Sequence, residues 1–145
     1  MIMGLVQRSV LHSTLIGAVF AASTAVMAGE EPMMCAVNET NACTKGEKCT
    51  RGAASDINMP LLMKISPGEK EILSLAEDGT RRVSKIKNSA TDVDNRFVVY
   101  QGVEQGGAWS VVVDTKNGAM TVSIAAGDTD AYVLYGACSR SILKP

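Results

Sequence analysis

Between Met59 and Ser139 the chain falls into short apolar runs, each closed by turn-forming residues. The first run, Leu61 to Ser66, alternates, with Leu61, Met63 and Ile65 on one side. Pro67-Gly68 follows, with Pro suited to a fixed-φ turn position and Gly to a positive-φ one. A second run, Glu69 to Ala76, leads to Asp78-Gly79, a tight-hairpin dipeptide. The third, Arg81 to Asn88, is polar, as an edge strand often is, and the hydrophilic stretch Ser89 to Asn95 reads as a loop. Four more runs follow: Arg96 to Val103, Ala108 to Thr115, Ala119 to Ala126 and Asp130 to Ser139. Gly106-Gly107, Asn117-Gly118 and Gly127-Asp128 separate them.

The period is two. Trp109, Val111 and Val113 share one face, with Ser110, Val112 and Asp114 on the other. Met120, Val122 and Ile124 likewise oppose Thr121, Ser123 and Ala125. Such alternation predicts strands with one buried face. Glycine and Asn-Gly punctuation about every ten residues excludes long helices. The expectation is an all-β domain, an antiparallel meander of about seven strands. Curling into a small barrel hides the exposed edges of a flat meander, so a barrel, closed or nearly so, is favoured over a sandwich.

Residues 1–28 read as a cleaved signal peptide. Arg8 and His12 lie in a polar start, Leu15 to Ala28 is apolar and small, and Val26-Met27-Ala28 fits a cleavage site. The apolar run is short for a membrane span. The expected product begins near Gly29, with an irregular cysteine-bearing arm over 29–58 and the β domain over 59–145. Its setting is periplasmic or secreted, with no stable membrane insertion after cleavage. Its charge is one unit more negative than the whole chain's −1, because Arg8 leaves with the leader. That balance does not favour nucleic acid as a partner.

Cys35, Cys43, Cys49 and Cys138 all remain, and an even count in a short exported chain reads as two disulfides. Four cysteines allow three pairings. Cys43–Cys49 with Cys35–Cys138 is preferred, the first closing a polar loop and the second tying the arm to the last strand. Lipidation at Cys35 is disfavoured by the preceding Pro32-Met33-Met34.

The chain's one histidine, His12, leaves with the leader. Ser–His and Cys–His catalysis and histidine metal sites go with it. Paired cysteines leave neither a thiolate nucleophile nor a zinc thiolate site. Gly102-Val103-Glu104-Gln105-Gly106-Gly107 sits between strands and reads as a hairpin, not a phosphate loop. Asp92-Val93-Asp94-Asn95 and Asp128-Thr129-Asp130 read as turn formers rather than calcium ligands. Glu104 and Asp114 are the carboxylates a small hydrolase would have to use, though nothing in the spacing pairs them. The Met33-Met34-Cys35 run, with Met59 and Met63, reads as tail and core filling rather than a copper site. No cofactor is expected. The candidate binding surface is Trp109, Tyr132, Tyr135, Glu104 and Asp128. Tyr132 and Tyr135 fall on opposite strand faces, so one of them is exposed.

The stretch Val99 to Asp114, the Asn117-Gly118-Ala119-Met120-Thr121 turn, the closing Tyr135-Gly136-Ala137-Cys138 and Asn58-Met59-Pro60 together resemble a pattern in an uncharacterised group of small exported bacterial proteins. That resemblance implies a bacterial, periplasmic setting and scaffold cysteines. A second likeness is to periplasmic lysozyme-inhibitor barrels, although their Ser-Gly-x-x-Tyr type of motif is absent. The functional expectation is a non-enzymatic binding or interaction module for an unknown protein or small molecule. The alternatives are an inhibitor of a secreted hydrolase and a small carboxylate-dependent hydrolase.

Overall fold

The computed structural model describes residues 31–104, 106–127 and 129–140. The signal peptide expected over 1–28 lies outside them. The described chain is all-β, with one 3₁₀ turn at Ala54–Ile57. Its strands are β1 (Met33–Thr44), β2 (Thr50–Gly52), β3 (Leu62–Ser66), β4 (Glu71–Leu75), β5 (Arg81–Lys85), β6 (Asn88–Thr91), β7 (Phe97–Glu104), β8 (Gly107–Asp114), β9 (Ala119–Ala126) and β10 (Asp130–Ser139). They form one antiparallel sheet in the order β5-β4-β3-β1-β10-β9-β8-β7-β6, with β2 paired on β1. The sheet curls into a half-barrel, the open form of the expected barrel.

The seven runs read from alternation correspond to β3–β5 and β7–β10. The arm expected to be irregular does not behave as one. Its residues 33–44 form the longest strand, inserted between β3 and β10. The reason it escapes a periodicity reading is a bulge between Val37 and Glu39. Met33, Cys35 and Val37 face inward before it and Thr40 after it. One extra residue shifts the inward set by one, so no single period of two spans the strand. Thr40 tolerates complete burial because its hydroxyl donates to the carbonyls of Gly52 and Ala53, at 3.0 and 3.1 Å.

β6 lies where a loop was expected. All four of its residues are exposed, so it has no apolar face to betray it. The first turn also differs in detail: the positive φ belongs to Lys70 (54°), and not to Gly68. The Lys70 N–H donates to the Pro67 carbonyl at 3.0 Å, so the turn is longer than the Pro-Gly pair implies.

Both expected disulfides are present. Cys35 and Cys138 are direct partners in the β1–β10 register. The Cys138 N–H donates to Gly118 on the other side, so the facing pair is a non-hydrogen-bonded one, where side chains approach most closely. Cys43–Cys49 closes the β1–β2 loop one step beyond the Ala42–Thr50 pair.

The curl brings the two ends of the sheet together, because only Ile86 and Lys87 separate β5 from β6. At this pivot the Ile86 N–H donates to Lys70 O at 2.9 Å, and the Lys87 N–H to Gln101 O at 2.8 Å. One continuous stretch therefore leaves β4 and joins β7. Past the pivot, β5 and the end of β7 face each other without a ladder, which leaves a seam. On one side of the pivot the concave face is packed solid around Tyr100, Ile65, Met33, Val113 and Met120. On the other side it is not filled.

Candidate functional site

At the unfilled end the inward side chains line a cavity of about 220 Å³. Its deep wall comes from β8, β9 and β10. Ile124 is the register partner of both Trp109 and Tyr132, so these three form one inward row. Val111 and Val122 lie one step deeper. Met63 and Ile72 contribute from β3 and β4, and Met59-Pro60 crosses beside them. Met59, Trp109, Ile124 and Tyr132 are only partly buried although they belong to the core face. The space beside them explains the difference.

Trp109 is held by what lies behind it. Gly102 is its register partner on β7. A Cβ at residue 102 would fall 2.2 Å from Trp109 Cζ2 and 2.7 Å from the Lys85 carbonyl oxygen. The indole therefore lies flat over a glycine backbone, a cross-strand arrangement only glycine permits. Its Nε1 is buried and has no hydrogen-bond partner.

The polar lining is concentrated at the seam. Arg82 and Ser84 of β5 and Glu104 of β7 line the cavity there. The Ser84 hydroxyl donates to Glu104 Oε2. Arg82 Nε stands 4.0 Å from Glu104 Oε1, an ion pair too long for a hydrogen bond. Arg81, Arg82 and Val83 of β5 are all exposed, Arg82 at the cavity mouth, and Lys85 Nζ pairs with Glu71 at 2.7 Å. The cations of β5 are thus split, with Arg82 alone of them lining the cavity.

Of the candidate binding residues, Trp109, Tyr132 and Glu104 come together at this cavity. Tyr135 does not. It stands 43% exposed on the outer face, as the odd spacing from Tyr132 requires. Asp128 lies outside the described residues. Sequence reasoning did not place Arg82, Ser84 or Gly102 at a binding surface. Alternation places Arg82 and Ser84 on one face of β5, but the strand's one apolar residue, Val83, lies on the other face and stands exposed, so the hydrophobic signal points the wrong way.

Glu104 and Asp114 are not a pair. Glu104 opposes Gly107 at one end of the β7–β8 ladder, and Asp114 opposes Phe97 at the other. Asp114 instead locks a corner. Its Oδ1 accepts the Lys116 N–H at 2.9 Å, and its Oδ2 accepts Arg96 Nη2 at 3.0 Å. The Lys116 N–H and then Arg96 hold its carboxyl below the usual range, with burial opposing them. The Arg96 guanidinium also lies 4.9 Å from the centroid of the Phe97 ring. Asp92, one of the loop acids, accepts the N–H groups of Arg96 and Phe97, which makes it a turn former.

No protein-family model, curated protein or solved structure matches this chain. Among the described residues no helix is long and apolar enough to cross a membrane.

Proposed function

We propose that the protein is a non-enzymatic binding module of the periplasm or the secreted fraction, and that its ligand is a small molecule taken into the half-barrel. The observation carrying this reading is the cavity of about 220 Å³ lined by Trp109. A concave, mainly apolar space with a few polar groups on one side is the usual form of a small-molecule site. The volume is modest. It exceeds the roughly 150 Å³ that accepts benzene in an engineered cavity, and falls below the roughly 300 Å³ of a small drug site. The exported setting is supported by the leader pattern over 1–28 and by two disulfides, which persist in oxidising compartments.

Trp109 is the chain's single tryptophan, so its fluorescence reports on this site alone. Titration with benzene or toluene should shift its emission saturably. Ala126→Phe, which fills the cavity from β9, should abolish the shift and leave the fold intact. A flat response, together with recovery of a hydrolase bound to the protein from periplasm, would replace this reading with the inhibitor one.

A further inference from the structure

The lining of the cavity restricts the chemistry of what it holds. We infer that the site takes an uncharged molecule, one ring or an equivalent aliphatic body in size, carrying a single hydroxyl or primary amide at one end. This rests on the small-molecule reading above.

The body is set by the wall. Trp109, Ile124 and Tyr132 with Met59 and Met63 offer aromatic, aliphatic and thioether surface. Such surface takes apolar groups, and thioethers adapt to their shape. The volume limits the part of that body held inside to a little more than a benzene ring.

The polar end is set by the seam. The charged side chains lining the cavity are Arg82 and Glu104, one of each sign. Their facing atoms, Nε and Oε1, are 4.0 Å apart. A cation drawn to Glu104 meets Arg82 beside it, and an anion drawn to Arg82 meets Glu104. Arg82 is half exposed, so either ion would give up only part of its hydration, but for a site with no net opposite charge to replace it. A hydroxyl has neither problem. One oxygen within about 2.8 Å of both atoms spans the gap, accepting from the guanidinium and donating to the carboxylate. A primary amide does the same with its separate oxygen and nitrogen. Ser84 already occupies the other carboxylate oxygen, so the orientation of Glu104 is fixed before the ligand arrives.

The test uses three isosteric probes, benzyl alcohol, benzylammonium and benzoate, with dissociation constants read from the Trp109 indole N–H resonance. Benzyl alcohol should bind at least tenfold more tightly than either ion. Glu104→Gln leaves the guanidinium unbalanced and should move benzoate to the front. Arg82→Gln should do the same for benzylammonium. Both residues are partly exposed, and melting curves check that each variant folds. Equal binding of either ion by the unaltered protein would overturn the inference, as would variants that keep the original order. If none of the three probes binds, the small-molecule reading itself fails.

Discussion

Trp109 occupies a position that stability alone does not explain. A buried indole N–H without an acceptor costs about 1–3 kcal/mol. Removing the nitrogen relieves that cost and offsets part of the packing lost with the larger ring. Trp109→Phe should therefore leave the free energy of denaturant unfolding within about 1 kcal/mol of the parent, where a large-to-small core change ordinarily costs about 2–5. The same variant should bind toluene more weakly, since it removes part of the cavity wall. Gly102 is the complementary case. Gly102→Ala drives a methyl into the indole and the Lys85 carbonyl, so it should destabilise by about 1–3 kcal/mol and move the tryptophan emission. A Gly102→Ala protein with unchanged emission would show that the indole does not rest on that glycine. From the sequence, Trp109 could be placed on the right face of its strand. The glycine beneath it could not, because cross-strand register is a property of two segments and not of one.

Among the elements, β1 carries the most consequence. It joins the N-terminal hairpins to β10, and Cys35–Cys138 pins that junction. The two bridges span 103 and 6 residues of chain. On a loop-entropy account the long one contributes about 4.7 kcal/mol and the short one about 2. Replacing Cys35 and Cys138 by alanine should cost more than twice as much as replacing Cys43 and Cys49, measured by chemical unfolding of the two double variants. Equal losses would mean that the long closure is not what stabilises the β1–β10 junction. The even cysteine count made two disulfides legible, and the pairing preferred among the three possible is the one present. The strand between them was not legible, because its bulge breaks the alternation on which a strand assignment depends. β6 was hidden for the opposite reason: it buries nothing, and only its ladder to β7 makes it a strand.

For the whole molecule, pH should act from both ends. Asp114 and Asp78 hold folded values below the ordinary carboxylate range, Asp78 chiefly through the Thr80 N–H. A depressed folded value means that the stabilisation is present above about pH 4 and is lost as pH falls through the lower folded value. Tyr100, buried in the packed end, is pushed up from the ordinary phenol value by that burial, with Arg140 opposing. Its contribution is complete below about pH 10 and declines as the pH rises past that point. Melting temperature against pH should therefore fall below about pH 4 and above about pH 10. Asp114→Asn should flatten the acid limb, and Tyr100→Phe the alkaline one. An acid limb unchanged in Asp114→Asn would remove the corner at Arg96 from the account.

By itself, the amino-acid order determined the class of structure and most of its parts. Period-two alternation, closely spaced glycine turns and an even cysteine count dictate antiparallel strands stapled by disulfides, because these are local or nearly local constraints. It also placed Trp109, Tyr132 and Glu104 among the residues worth attention. That these three meet, with Arg82 and Ser84 beside them, was decided only when the sheet curled about the Ile86–Lys87 pivot. How far a sheet curls, and whether the space inside is filled, depends on the summed volumes of side chains from eight separated segments. No single stretch of sequence carries that sum.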